Sequence, residues 1–138
     1  MRIRLKMMID KYICRAKCID NGVWVYGYPA RLDYMSNEFS FIESEYIIHH
    51  IDQDTICRCT GLVDKYGNSI FEHDYVRTIF GRICEVVWFS SPQHCGWDLF
   101  PIANLKCAAP AERSMWSSEW LIMLGNKFDN PELMEDGK

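Results

Sequence analysis

No apolar run in these 138 residues is long enough to cross a bilayer, and the chain contains no internal repeat and no tract of low complexity. A spanning helix needs about 20 consecutive apolar residues. The cationic start, MRIRLKM, is followed by no apolar stretch of the kind that makes a signal peptide. The sequence therefore predicts a soluble, cytoplasmic protein with no membrane partner. Positive charge is also short: 15 Lys and Arg stand against 19 Asp and Glu, a formal net charge of −4. Coating DNA rests on cations that neutralise phosphates, so nucleic acid is the less favoured partner. A local basic surface stays open, built from Arg2, Arg4, Lys6, Lys11, Arg15 and Lys17, or from Arg58, Arg77 and Arg82 as the candidate nucleic-acid contacts. Histidine is scarce, and the adjacent His49 and His50 would face opposite ways on a strand, which disfavours a shared metal ion.

Cysteine is not scarce. There are seven (Cys14, Cys18, Cys57, Cys59, Cys84, Cys95 and Cys107), an odd number without an export signal, which favours reduced thiols over a disulfide framework. Zinc sites take paired knuckles with two to four intervening residues. Cys14 and Cys18 meet that spacing, but Cys57-Arg58-Cys59 does not. Small apolar fillers on strands are the better reading of these residues, with no metal and no cofactor.

What remains is apolar and aromatic: 49% hydrophobic residues, with five Trp, seven Tyr and seven Phe. Much of this alternates with polar residues at the period of a strand. The expectation is one domain over 1–138, with a basic leader at 1–10 and a polar tail at 135–138. Tyr12 to Lys17 and Val23 to Tyr28 flank Asn21-Gly22, a strong hairpin signal, with Trp24 and Tyr26 on one face and Val23 and Val25 on the other. Phe39 to His50 fits no single element, although Tyr46-Ile47-Ile48 suits a strand buried on both faces. Thr55 to Thr60 reads as a strand. Val76 to Phe80 and Ile83 to Phe89 form a second hairpin over Gly81-Arg82. Cys95 to Leu99 adds a strand with Trp97 and Leu99 on a common face, Ala108 to Ser118 is the expected short helix, and Trp120 to Leu124 closes the sheet. Asn130 to Met134 makes a turn or a one-turn helix. The fold class is mainly β (β-rich α+β): an SH3-like small barrel with an N-terminal hairpin and one short helix near the C-terminus.

The densest punctuation lies in TGLVDKYGNSIFEHDYVR, Thr60 to Arg77. Asp64 can accept backbone hydrogen bonds while Gly67 supplies a left-handed residue, which is turn chemistry. Ile70 and Phe71 bury apolar surface, Glu72 and Asp74 cap exposed N–H groups, and Val76 begins a strand. A phosphate loop would need Gly-Lys-Ser/Thr where Gly67-Asn68-Ser69 stands, and a calcium loop would need further acids after Asp64. Glu72 and Asp74 lie two apart, as a catalytic carboxylate pair might, but capping explains them better. His94 and Cys95 are sequence neighbours that would point apart on a strand. No catalytic residue is expected, and the chain does not read as an enzyme. The aromatics Trp88, Phe89, Trp97, Phe100, Trp116 and Trp120 are mostly core candidates.

This stretch resembles the YopX-like proteins of phages and prophages, whose hallmark is T-G-L-x-D-x-x-G-x-x-I-[YF]-E-G-D-x-V. Thr60, Gly61, Leu62, Asp64, Gly67, Ile70, Phe71, Glu72, Asp74 and Val76 match it. His73 departs, standing where the family has glycine. Arg15-Ala16 and Trp24-Val25-Tyr26-Gly27 are similar to the family's opening, with Lys17 in place of Trp. Gly125, Asn126, Asn130, Pro131, Glu132 and Leu133 are similar to its I-G-N-x-x-x-N-P-E-L close. The resemblance implies a phage, prophage or mobile-element origin in a bacterial host, a β-rich SH3-like fold and assembly into oligomers. Two functions follow as expectations: a noncatalytic module that binds copies of itself or a protein partner, and, as the alternative, a nucleic-acid-binding accessory protein.

Overall fold

The computed structural model describes residues 13–30, 40–44, 47–79, 81–93, 95–102 and 120–136. The chain divides into two compact units, Met1–Gly61 and Leu62–Lys138. The first holds β1 (Cys14–Lys17), β2 (Trp24–Ala30), β3 (Ser40–Ser44), β4 (Ile47–His50) and the start of β5 (Cys57–Val63). These strands lie side by side in the order β4-β3-β2-β1-β5. The β1–β2 hairpin turns at Asn21-Gly22, where Asn21 Oδ1 accepts the Val23 N–H at 3.0 Å and Gly22 N–H donates to Cys18 O at 2.9 Å. Alternation then sorts the side chains. Cys14, Ala16, Phe41 and Ile51 form a buried cluster, with Val25 and Ile56 packed against it, so Arg15, Trp24, Tyr26, Tyr28, Ile42 and Ile48 belong to the opposite face.

The second unit holds β6 (Ser69–Phe71), β7 (Asp74–Arg77), β8 (Ile83–Ser90), β9 (Cys95–Pro101), β10 (Ile122–Asn126) and a short helix, α1 (Glu132–Asp136). Four of its strands form an antiparallel sheet in the order β10-β7-β8-β9, while β6 lies next to β5. β8 shows why these residues make a strand: Cys84 and Val86 are fully buried while Trp88 is exposed on the end that outruns the core. Ile70, Val76, Cys84, Val86, Leu99 and Leu121 form the core of this unit, with Leu62, Trp97 and Met123 against it. Each such side chain contributes about 1.5–3 kcal/mol by leaving water.

The mainly β class holds, but the strands do not close into one small SH3-like barrel: they form two antiparallel sheets, of six and of four strands. The nearest approach to closure is in the first unit. There a single bridge joins Cys18 to Ile51, flanked by Ile19 N–H to His50 O at 2.9 Å and Asp52 N–H to Lys17 O at 2.8 Å. Ile47 and Ile48 are also not buried on both faces. They are 45% and 48% exposed, on β4, the last strand of the ladder order. The expected helix at 108–118 lies outside the described residues. Asn130 to Met134 leads into α1, and the strand expected at 55–60 begins only at Cys57, after a 3-10 turn at Gln53–Thr55, and runs on through Gly61 to Val63.

Candidate functional site

The residues of the dense motif serve two turns that both reach β10. In the first, Asp64 is a hub only 4% exposed. Its Oδ1 accepts the N–H groups of Tyr66 at 2.9 Å and Asn68 at 2.8 Å, and its Oδ2 accepts Asn68 Nδ2 at 3.2 Å. Gly67 closes the loop at φ +84°, where an L side chain would be strained. The same Oδ2 also accepts the Met123 N–H at 3.0 Å, from the strand 59 residues further on. Beside it, Lys65 N–H donates to Leu121 O at 2.8 Å. Burial raises the pKa of the Asp64 carboxyl, yet the donors from Met123, Asn68 and Tyr66 outweigh it and hold the group below the usual carboxylate value.

In the second turn, Glu72 and His73 join β6 to β7. Asp74 is fully buried and accepts the Phe71 N–H at 2.7 Å, which caps the turn. His73 is the one non-glycine residue at positive φ, +69°, among the described residues. Its backbone is held from both sides: the N–H donates to Val86 O at 2.8 Å and the carbonyl accepts from Lys127 N–H at 3.0 Å. The imidazole lies 2.7 Å from Glu85 Oε2 through Nδ1 and meets the Phe128 ring edge-on at 5.8 Å. Tyr75, 1% exposed and paired with Glu85 across the strands, has its pKa pushed up by burial and then by Glu85 and Glu132.

The C-terminal motif completes the arrangement. Asn126 pairs with Asp74 across β10 and β7. Its Oδ1 accepts the N–H groups of Phe128 and Asp129, both at 2.9 Å. Asn130 returns the bond, its Oδ1 accepting Asn126 N–H at 3.1 Å while its own N–H donates to Asn126 O at 2.9 Å. A Cβ on Gly125 would run into the Asn130 side chain. Asn130 O then accepts Leu133 N–H at 3.1 Å, and Pro131 O accepts Met134 N–H at 3.1 Å, as Glu132 and Leu133 enter α1. Thr60, Gly61 and Leu62 lie on β5, Ile70 in the core, and Val76 on β7.

The two neighbouring turns of the dense motif and the distant C-terminal segment meet at one strand of the second unit. A family model described as YopX protein matches residues 8–135. The chain belongs to the YopX family. No curated protein matches it significantly. The matched span takes in every motif residue named above, among them Asp64, Asp74 and Asn126, which meet at β10.

Arg58 lies on β5 in the first unit, whereas Arg77 and Arg82 flank the β7–β8 turn of the second. Among the described residues no three His, Cys, Asp or Glu side chains are grouped to hold a metal ion. No helix among them is long and apolar enough to cross a membrane. His49 Nε2 lies 3.3 Å from Glu43 Oε2, and His50 Nδ1 lies 3.4 Å from Ser40 Oγ. Cys14, Cys57, Cys59 and Cys84 are buried, and Cys95 is exposed near Ser90 Oγ at 3.3 Å. His94, Cys107 and Trp116 lie outside the described residues. Two aromatics expected in the core are half-exposed instead: Trp88 at 44%, packed edge-on against Trp97 at 5.2 Å, and Trp120 at 47%. Trp120 is exposed because it precedes β10, and the buried anchor there is its neighbour Leu121.

Sequence reasoning missed what surrounds Trp120. Lys65, Arg77, Thr78, Ile79, Trp120 and Ile122 line an open hollow of about 420 Å³ in the second unit. Only Arg77 among them was singled out by charge. The Lys65 and Trp120 contribution depends on the backbone bond between Lys65 and Leu121, which joins residues far apart in the chain.

Proposed function

We propose that this YopX-family chain is a noncatalytic interaction module of phage or prophage origin, which associates with further copies of itself. The observation that carries this reading is an apolar row on the outer face of the first unit. Tyr28, Ile42 and Ile48 stand directly opposite one another across β2, β3 and β4, and Tyr26 continues the row on β2. Tyr26, Tyr28 and Ile48 are 38%, 39% and 48% exposed. Exposed aromatic and aliphatic side chains gathered in one patch mark contact surfaces better than scattered ones do. At its β1 end the row carries Arg15, 4.6 Å above Trp24, and Lys17, 5.4 Å from the same ring. The motif acids support the noncatalytic part, since Asp64 and Asp74 are engaged by backbone N–H groups.

Light scattering over a concentration series tests the proposal. The wild-type chain should rise toward at least twice the monomer mass, and Tyr28→Ser with Ile48→Ser should remain monomeric at an unchanged thermal midpoint. A wild-type chain that stays monomeric at the highest concentration overturns it.

A further inference from the structure

We infer that the hollow beside Trp120 is a binding site for a nucleotide, with its phosphate held by Lys65 and Arg77 and its base stacked on the indole. The site is built by two elements that the motif turns fix in place. Lys65 follows the Asp64 hub, and its N–H bond to Leu121 O sets it beside Trp120. Arg77 ends β7 directly opposite Ile122 of β10. The far wall is the β7–β8 turn, held by Thr78 N–H to Arg82 O at 2.8 Å and Gly81 N–H to Thr78 O at 2.9 Å, which leaves Ile79 52% exposed.

Three features point to this class of ligand. Among the described residues that line the hollow none is a carboxylate, and none of the described residues forms an ion pair with Lys65 or Arg77, in a chain that carries four more acids than bases. Two cations lining one hollow favour an anion. The half-exposed indole, with Ile79 and Ile122 beside it, offers a flat apolar surface that a bare inorganic anion would not use but a nucleobase stacks on. Finally, about 420 Å³ lies within the range of small-molecule sites and suits one nucleotide, not a long tract. A compact site of this kind is compatible with the overall acidity that disfavours coating a duplex.

The test is fluorescence anisotropy of the full chain with a labelled ten-residue oligothymidylate at 50 and 200 mM salt, with thymidine monophosphate and inorganic phosphate as competitors. One neutralised phosphate on a single strand gives a logarithmic salt slope of about −0.7, or roughly a 2.6-fold weakening over that range. Lys65→Ala with Arg77→Ala should abolish binding, and Trp120→Ala should weaken it at least tenfold while Trp120→Phe restores most of it. Arg58→Ala, outside the hollow, should leave it unchanged, and all variants should keep the wild-type thermal midpoint. Competition by the mononucleotide at similar affinity assigns the site to free nucleotides, and binding of the oligonucleotide alone assigns it to a strand; either outcome supports the inference. No binding at low salt, binding insensitive to all three residues, or inorganic phosphate competing as well as the mononucleotide overturns it.

Discussion

Replacing His73 by glycine and by alanine separates the strain at this position from the contacts of its side chain. Both changes remove the imidazole, and with it the 2.7 Å contact to Glu85 and the edge-on contact to Phe128. A hydrogen bond of this kind contributes about 1 kcal/mol net, discounted here because both partners are partly solvated, and the ring contact contributes about 0.5–1.5 kcal/mol. The two variants differ in one respect: alanine keeps a Cβ at φ +69°, and glycine does not. The backbone cannot relax out of that conformation, because Val86 O and Lys127 N–H hold the residue on both sides. A left-handed L residue costs about 1–2 kcal/mol. His73→Ala should therefore lose about 2 kcal/mol against wild type, and His73→Gly only about 1 kcal/mol, although both lose the same contacts. In urea, with a slope of about 2 kcal/mol per molar for a chain of this size, the glycine variant should unfold about 0.5 M higher than the alanine variant. Equal midpoints, or a more stable alanine variant, would refute the assignment of strain to His73.

Asp64→Asn should cost about 2–4 kcal/mol at pH 7, since an amide cannot accept at both oxygens and leaves buried N–H groups unmet. Because the folded-state pKa of Asp64 is depressed, its contribution is complete above the unfolded value of 3.8 and is lost as pH falls through the lower folded value. The gap between wild type and Asp64→Asn, followed by urea unfolding from pH 7 to pH 2.5, should therefore narrow with acid; a constant gap would count against the hub. Tyr75 has the opposite sign: its raised pKa favours the protonated folded state, so its contribution is full below the unfolded value of 10.0 and disappears as pH rises through the folded one. Absorbance titration should show one tyrosine ionising later than the rest, and Tyr75→Phe should remove that step. Gly125→Ala should lower the thermal midpoint by several degrees, as its methyl displaces the Asn130 side chain that accepts Asn126 N–H. An unchanged midpoint would mean that Asn130 moves aside without loss.

Features encoded within a few residues were legible in the sequence. The hairpin at Asn21-Gly22 and the reversal from Asp64 to Asn68 each follow from side chains that bond their own backbone nearby, so no distant contact is needed to read them. The exposure of Ile47 and Ile48 was not legible, because a β-branched pair reads alike in a buried strand and an exposed one. It shows only in the fold, on β4, the last strand of the ladder order. The division into two sheets was hidden for the same reason. Likewise, Trp120 carries no mark that separates a core indole from one beside two cations; its surroundings are set by Lys65 and Arg77, which lie far back in the chain. The site was unreadable because its parts are joined only through β10.

The bond from Met123 to Asp64 spans 59 residues, and this has a kinetic side. Closing a flexible loop of that length costs about 3–4 kcal/mol of chain entropy before any contact repays it. On the ribosome, the segment from Leu62 to Ser90 emerges well before β10 does, with the acceptors of Asp64 waiting for their last donor. Maturation of the second unit should thus be gated by arrival of β10, and a pulse of protease during synthesis should cut this unit until Asn126 has cleared the exit tunnel.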